Sequence, residues 1–268
     1  MNTILLHIHE DDEQESRLQA ALDLARLCNG HISCLQVTPL ESYGAEPYGA
    51  LFGMAAIIDT MHDQGKALRA AIETRLQREN ISWDWRSVNG SVAESITEHS
   101  RLKDIIVLSQ PGSDRGGTGA PLPLVADVAV HARSPVLVVP VGAQRFSAET
   151  VLIGWNGSAE AAHALRLTAC ILQKARAVHI VEVTEEASGV PATEAAAYLS
   201  RQNIHCELHD WPAKGRRVSV ALRHAVDELG ADCLVMGAYG HSRLRETILG
   251  GVTRELIASS MVPLLLAH

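Results

Sequence analysis

Residues 232–236 read Asp-Cys-Leu-Val-Met, and residues 104–108, earlier in the chain, read Asp-Ile-Ile-Val-Leu. Each segment is an acidic residue followed by a continuously apolar run, which is typical of a parallel β-strand covered on both faces. Two further pairs of segments repeat in the same order, residues 3–8 with 150–155 and residues 134–139 with 262–267. These repeats predict two copies of one structural unit, and we place the copies at residues 1–142 and 149–268.

Within each copy, short apolar runs alternate with longer segments of helical periodicity. In the second copy we expect strands near residues 150–155, 177–183, 204–209, 231–236 and 262–266. We expect helices near residues 158–174, 191–202, 215–229 and 252–260. Strands that alternate with helices in this way predict an α/β fold with a doubly wound parallel sheet and right-handed crossovers.

The composition limits the possible functions of this chain. With 47% hydrophobic residues among 268, it can bury a substantial core in each copy. The net charge of -8 and the 4% aromatic content argue against nucleic-acid binding, which relies on cationic side chains and base stacking. No apolar run approaches the roughly 20 residues of a membrane helix, and the N-terminal residues lack the features of a signal peptide, so we expect a cytoplasmic protein.

The loop after the strand at residues 232–236 contains Gly237, Gly240, Gly250 and Gly251. In doubly wound sheets, ligands bind beyond the carboxyl ends of the strands. Glycines at such a place let backbone N–H groups approach an anion, and the helix that follows adds its free N-terminal N–H groups. The same glycines would also suit simple turns or close packing, and spacing alone does not separate the two interpretations.

The pattern G-x2-G-x9-G after a strand resembles the nucleotide-binding signature of the universal stress protein family, in particular of its tandem two-domain members. The turn at residues 156–158 (Asn-Gly-Ser) and the final strand at residues 262–265 (Val-Pro-Leu-Leu) are similar to the family's as well. This resemblance implies two Rossmann-like domains of the adenine nucleotide alpha hydrolase-like type. Each would be a five-stranded parallel sheet with helices on both faces, and the two would pack as an intramolecular pair.

The resemblance also implies that the second domain binds ATP or AMP, with or without Mg²⁺. The residues that it places around the nucleotide are Asn156, Val183, Gly237, Gly240, Gly250, Gly251 and Thr253. Asn156 and the main chain of Val183 would lie along the adenine, and the glycines would wrap the ribose and phosphates. Two residues depart from the family pattern: Gly251 replaces a Ser or Thr, and Asn156 replaces an Asp.

The first copy has lost most of this pattern. Ser109 stands at the first glycine and Leu122 at the third, while His9 stands at the family's Asp. Pro121 and Pro123 remove two backbone N–H donors where phosphate oxygens would lie. We therefore predict that the first copy is degenerate and binds no nucleotide.

We weighed a metal site and an enzymatic site as alternatives. His7 and His9 precede three acidic residues, but this arrangement also fits a strand that runs into a solvated helix start, and we predict no metal site. The five cysteines contain no CxxC pair, which argues against structural zinc and a disulfide scaffold. The sequence has no GxSxG elbow and no P-loop, so we predict no catalytic residue and at most slow ATP hydrolysis.

These observations predict a stress-response sensor that binds ATP or AMP at one working site in the second domain. The alternative is a nucleotide-independent scaffold in which both sites are vestigial and the paired domains bind a protein or a small apolar ligand. An adenylating enzyme is the least supported class. The sequence leaves open which protein partner is contacted and whether two chains form a homodimer.

Overall fold

The computed structural model of the protein describes residues 1–39, 51–111, 124–184, 189–240 and 251–268. The elements of its first half are β1 (Thr3–Ile8), α1 (Gln14–Cys28), β2 (His31–Thr38), α2 (Leu51–Leu76), β3 (Ser82–Asn89), α3 (Val92–His99), β4 (Ile105–Ser109), α4 (Leu124–His131) and β5 (Val136–Val139). Those of its second half are β6 (Thr150–Trp155), α5 (Ala159–Leu167), α6 (Ala169–Leu172), β7 (Ala177–Thr184), α7 (Ala192–Arg201), β8 (Glu207–Pro212), α8 (Val218–Leu229), β9 (Cys233–Gly237), α9 (Gly251–Ser259) and β10 (Leu264–Ala267).

The strands form one ten-stranded sheet in the order β3-β2-β1-β4-β5-β10-β9-β6-β7-β8. All pairs within each half are parallel, which confirms the prediction of two five-stranded, Rossmann-like parallel sheets. The two halves meet where β5 and β10 pair antiparallel, with Leu137 opposite Leu265. The sequence predicts paired domains but not a continuous sheet, because local periodicity carries no information on which edges of two sheets will pair.

Helices cover both faces of this sheet, as predicted. One apolar cluster contains buried residues of α1, α2, α5, α6 and α7, and the other contains those of α3, α4, α8 and α9. Successive strand residues point to opposite faces, so strands between two helical layers must be apolar throughout. Strand β4 meets this requirement with four consecutive buried residues.

The repeat detected in the sequence is visible in matched hydrogen bonds. A carboxylate oxygen of Asp104 accepts hydrogen bonds from the backbone N–H groups of Asn2 and Thr3, at 2.6 and 3.0 Å, at the start of β1. Asp232 accepts one from the backbone N–H of Thr150, at 3.0 Å, at the start of β6. Each acidic residue thus ties the beginning of the fourth strand of its half to the beginning of the first.

Three predicted elements differ from the structure. The helix expected over residues 158–174 is divided at Thr168, whose hydroxyl donates to the carbonyl of Ala164 at 2.7 Å and competes with the helical pattern. The helix expected from residue 215 begins at Val218, because Lys214 and Gly215 adopt positive φ angles of 51° and 74°. The strand expected over residues 204–209 spans 207–212 instead, and Ile204 is a buried residue of the preceding loop.

The segment between β5 and β6 is anchored to the first half. The backbone N–H of Phe146 donates to Asp23 of α1 at 3.0 Å, and that of Gly142 donates to Glu13 at 2.9 Å. Phe146 is itself buried in the α1 face of the core. Among the described residues, no helix combines the length and the apolar character needed to cross a bilayer.

Candidate functional site

The loops that follow β6 and β9 lie at the same edge of the sheet. The two strands pair in parallel, with Gly154 opposite Met236, so both chains leave the sheet side by side at their carboxyl ends. The sequence places residues 156–158 after β6 and Gly237 at the end of β9. The fold therefore brings together the two segments that carry most of the predicted nucleotide-binding residues.

The turn after β6 is fixed by its own side chains. The Asn156 side-chain oxygen accepts a hydrogen bond from the backbone N–H of Ser158 at 3.2 Å, and the Ser158 hydroxyl accepts one from the backbone N–H of Ala161 at 3.1 Å. Ser158 is thus the N-cap of α5, as its position before the helix predicted. Since the turn uses the Asn156 oxygen, the side-chain NH₂ of this exposed residue remains the group that can donate to a ligand.

Gly237 is required by the close approach of two backbones. A Cβ at this position would lie 2.5 Å from the backbone nitrogen of Ala161 and 2.6 Å from the carbonyl carbon of Glu160. The end of β9 therefore packs directly on the first turn of α5, with no room for a side chain. This contact explains the first glycine of the motif as a packing requirement, which is one of the two interpretations left open by the sequence.

Gly240 differs from Gly237 because its neighbours are side-chain atoms. A Cβ there would lie 2.6 Å from the Glu160 Oε2 atom and 3.6 Å from the Ser158 hydroxyl oxygen. The backbone of the loop after β9 thus passes over the turn after β6, and it is exposed at Gly240. Between the two glycines, Tyr239 adopts a left-handed φ of 59°, a conformation that is uncommon for a bulky residue and concentrates at functional sites.

Thr253 supports this loop from within the protein. Its hydroxyl accepts a hydrogen bond, at 3.5 Å, from the backbone N–H of Tyr239, and the residue is only 4% exposed. Burial raises the pKa of the Tyr239 hydroxyl to about 12, although the nearby charge of Arg254 acts in the opposite direction. Thr253 was predicted to lie near the phosphates, and the structure places it beneath the loop that carries Gly240.

The remaining predicted residues are more dispersed. Val183 lies near the end of β7, paired with Trp211 of β8, and its side chain packs partly buried against the α8 face of the core. Gly251 is exposed and begins α9, and a Cβ there would meet no atom of the described part of the chain within 4 Å. Gly250 lies outside the described residues, as do Leu122 and both prolines of the first copy.

Sequence reasoning missed a second segment that packs on the Asn156 turn. Gly189 follows β7, and a Cβ there would lie 2.3 Å from the carbonyl oxygen of Gly157. The same carbonyl accepts a hydrogen bond from the backbone N–H of Val190 at 3.0 Å, and the Trp155 indole donates to the Val190 carbonyl at 2.8 Å. The signal in the sequence is Gly189, which stands between a strand and Pro191.

The corresponding edge of the first half is filled by Arg17, which is 2% exposed. Its guanidinium donates to the Ser109 hydroxyl at 2.8 Å and pairs with the Asp11 carboxylate at 3.1 Å. It also donates to the carbonyls of His7 and His9 and to the side chain of Gln14. Ser109 is the counterpart of Gly237 at the end of β4. A cationic side chain of α1 thus contacts the ends of β1 and β4 in the first half, where Ser109 stands in place of a glycine.

His7, in β1, and His9, just after it, are not part of a converging group of three or more potential metal ligands among the described residues. Their rings stack with centroids 6.0 Å apart, and burial, followed by the nearby charges of Arg17 and His9, lowers the pKa of His7 to about 3. Among the described residues, the potential metal ligands that do converge are His179, Glu207 and His209. Sequence spacing does not bring these three residues together, because they lie on two strands whose relative register depends on the fold.

Two surface pockets of the described residues lie away from the glycine loop. One, of about 380 Å³, is lined by residues that include Arg101, Lys103 and Arg166. The other, of about 470 Å³, is lined by residues that include Trp211 and Arg216. Neither contains a predicted nucleotide-binding residue. The candidate site is defined by the backbone approach at Gly237 and Gly240.

Fold and site together define a class, namely α/β proteins with two Rossmann-like halves and a glycine loop at the carboxyl edge of the second. Residues 148–268 match the model of the Universal stress protein family. The chain is also 24% identical over 290 residues to universal stress protein Slr1230 of Synechocystis sp., with 99% of each chain covered. Residues 148–268 therefore carry a domain of the universal stress protein family, and the chain as a whole is similar to a member of that family.

Solved structures of universal stress proteins are similar to this chain over different lengths. A universal stress protein from Archaeoglobus fulgidus is similar over 99% of this chain and 96% of its own, with a TM-score of 0.79 and 18% identity. A family member from Arabidopsis thaliana with AMP bound matches 55% of this chain and 97% of its own, with a TM-score of 0.36 and 15% identity.

Proposed function

We propose that this protein is a stress-response sensor that binds one adenine nucleotide, ATP or AMP, in its second half. Asn156 and the main chain of Val183 would contact the adenine. The glycine loop from Gly237 to Gly251 would contact the ribose and phosphates, with Thr253 holding that loop in place. Binding to the folded state alone stabilises it by RT ln(1 + [L]/Kd), about 2.7 kcal/mol at a hundredfold excess over Kd. The nucleotide would thereby change the population of the conformation that a partner protein recognises.

The observation that carries this proposal is the backbone geometry at Gly237 and Gly240. Side chains are excluded where β9 packs on the first turn of α5, and the exposed backbone beyond it faces the N-terminal turn of that helix. Helix α9 begins at Gly251 immediately after this loop. Two helix N-termini and an exposed glycine backbone at one sheet edge form an environment that favours phosphate groups.

Arg17 supports the assignment of a single site. In the first half its guanidinium already satisfies the polar groups at the carboxyl ends of β1 and β4. The buried residues of α5, by contrast, are Ala161, Ala164 and Leu165, none of which carries charge. A nucleotide in the first half would have to displace the buried Arg17 guanidinium from its partners, and leaving a buried polar group unsatisfied costs about 1–3 kcal/mol, or more for a charged group.

One observation favours the second candidate, a nucleotide-independent scaffold. The Glu160 carboxylate reaches the backbone at Gly240, where the phosphates would lie. Two negative charges about 4 Å apart repel each other by about 1 kcal/mol in water and by more in a partly buried site. The nucleotide would therefore need Mg²⁺ between the two groups or a different Glu160 rotamer, and a site that allows neither would be vestigial.

Thermal unfolding with and without Mg-ATP separates the two candidates. We expect Mg-ATP to raise the Tm of the wild-type protein and to leave that of Gly240→Val unchanged, because a branched side chain there would block the exposed backbone. The variant should fold, since among the described residues its Cβ would approach most closely the flexible end of Glu160. Gly65→Val is the matched control: a Cβ at Gly65 of α2 meets the flexible end of Gln36 at 2.9 Å.

If the proposal holds, Gly65→Val keeps the response to Mg-ATP that Gly240→Val loses. An unchanged Tm of the wild-type protein in millimolar Mg-ATP would favour the scaffold. An equal response in wild type and Gly240→Val would show that nucleotide binds elsewhere on the chain.

A further inference from the structure

We infer that His179, Glu207 and His209 form a binding site for one divalent transition-metal ion of the Zn²⁺ type at the outer edge of the second half. His179 lies on β7, and both other residues lie on β8, the edge strand of the sheet. The parallel register sets His179 opposite Glu207 and Val181 opposite His209. Alternate residues of a strand share one face, so all three side chains project to the same side.

The distances among the three ligand atoms match a tetrahedral ion. His179 Nδ1 lies 3.1 Å from His209 Nε2 and 3.6 Å from Glu207 Oε2, and His209 Nε2 lies 3.7 Å from the same carboxylate oxygen. Tetrahedral bonds of about 2.1 Å to nitrogen and oxygen require ligand atoms about 3.4 Å apart. The three observed separations lie on both sides of that value, so small rotamer changes would place an ion at equal distance from all three atoms.

The chemistry of the three groups also fits such an ion. Two imidazoles and one carboxylate are the protein ligands of several zinc sites in which a water molecule takes the fourth position. Imidazole nitrogen favours Zn²⁺, Co²⁺, Ni²⁺ and Cu²⁺ over the hard cations Mg²⁺ and Ca²⁺, which prefer oxygen ligands. Without an ion, the two nitrogens at 3.1 Å can share only one proton, because one must donate and the other accept.

Burial makes the cluster more rigid than an ordinary group of surface histidines. The side chain of His179 is 11% exposed and that of His209 is 24% exposed, whereas Glu207 is 73% exposed. The two imidazoles are therefore held by the protein, and the carboxylate can close over an ion that enters from solvent. An ion bound there would link β8 to β7 at their amino ends.

This site is separate from the proposed nucleotide site. His179 lies near the amino end of β7 and Val183 near its carboxyl end, which places them about 13 Å apart along the strand. The inference therefore does not depend on nucleotide binding, and either proposal can fail without the other.

Titration of the full-length protein with Co²⁺ tests the site, because tetrahedral Co²⁺ absorbs strongly in the visible range whereas octahedral Co²⁺ does not. We expect one tetrahedral Co²⁺ per chain, displaced by Zn²⁺ but not by a large excess of Mg²⁺. His209→Gln should abolish this signal, and Glu207→Gln, at an exposed position, should weaken binding at least tenfold. His224→Gln is the matched control, because His224 also contacts a carboxylate, Glu228 at 3.3 Å, without a second imidazole.

The variants also make the proposal easy to overturn. Equal Co²⁺ affinity in the wild type and in His209→Gln would place the ion elsewhere on the chain, which has 13 histidines including His179 and His209. Absence of a tetrahedral spectrum in the wild-type protein would refute the site outright. Circular dichroism of each metal-free variant establishes that it is folded, and Glu207→Gln alone suffices if His209→Gln is not.

Discussion

Restoring a hydroxyl at residue 251 should strengthen nucleotide binding. Gly251 stands where the family signature has Ser or Thr, and it begins α9 at an exposed position. Among the described residues a Cβ there would meet nothing within 4 Å, so a serine fits without displacing any of them. Gly251→Ser would then add one O–H donor beside the free backbone N–H groups of the helix N-terminus, where the proposal places the phosphates.

The structure also sets the size of this effect. A hydrogen bond to a charged group contributes about 1.5–3 kcal/mol of net free energy, and at an exposed position the contribution is at or below the lower end of this range. We therefore expect about 1 kcal/mol, which is roughly a fivefold decrease in the Kd for Mg-ATP. Any gain in stability that comes only from replacing glycine in a helix is shared by Gly251→Ala, which lacks the hydroxyl.

Isothermal titration of wild type, Gly251→Ser and Gly251→Ala with Mg-ATP measures this difference. The reasoning predicts that serine binds about fivefold more tightly than alanine, with the same number of sites per chain. If serine and alanine bind equally, residue 251 does not face the phosphates, and the placement of α9 in the site is wrong.

Three further predictions concern the frame of the protein, and a fourth concerns a thiol. Gly237→Ala should lower the free energy of unfolding by about 2 kcal/mol in urea, because its Cβ would lie 2.5 Å from a backbone nitrogen of α5; an unchanged value would contradict that contact. Arg17→Met should lower the free energy of unfolding by about 2 kcal/mol in the same assay, since it removes the buried guanidinium that the carbonyls of His7 and His9 contact; a loss below 1 kcal/mol would refute that role. Burial alone would raise the pKa of Asp104, but hydrogen bonds from the backbone at the start of β1 hold that pKa below 3.8. The stabilisation by Asp104 is therefore present above pH 4 and is lost as the pH falls through the folded-state pKa. Asp104→Asn should be less stable than wild type at pH 7 and equal to it near pH 2. A hydrogen bond from the Cys28 thiol lowers the pKa of Cys170 and raises that of Cys28, so iodoacetamide at pH 7 should modify Cys170 before Cys28, as mass spectrometry of peptides would reveal; the reverse order would contradict the pairing.

The fold was predictable from the sequence because its signals are local and repeated. Continuously apolar strands and the recurrence of Asp104 and Asp232 before the fourth strand of each half sufficed to predict two parallel sheets. The antiparallel pairing of β5 with β10 was not predictable, since it depends on the match of two edges far apart in the chain. The predicted helix boundaries were wrong where a single residue altered the local backbone conformation, as at Thr168 and Lys214.

The candidate site was predictable in its glycines and not in their surroundings. Gly237 and Gly240 could be identified by spacing, but spacing does not reveal that the Glu160 carboxylate lies beside Gly240. The role of Arg17 could not be predicted for the same reason. Arg17 lies in a helical segment with ordinary periodicity, and only the fold shows that its guanidinium reaches the end of β4. Side-chain contacts between distant segments require the three-dimensional arrangement.

The central claim, one adenine nucleotide per chain in the second half, is tested most directly by the number of nucleotides that the protein binds. Purified protein can be denatured, the released nucleotide identified by chromatography, and the stripped protein titrated with Mg-ATP. The account predicts one ATP or AMP per chain in the wild type and none in Gly240→Val. Two nucleotides per chain would contradict the prediction that the first half binds none. No bound nucleotide, before or after addition of Mg-ATP, would contradict the proposed site in the second half.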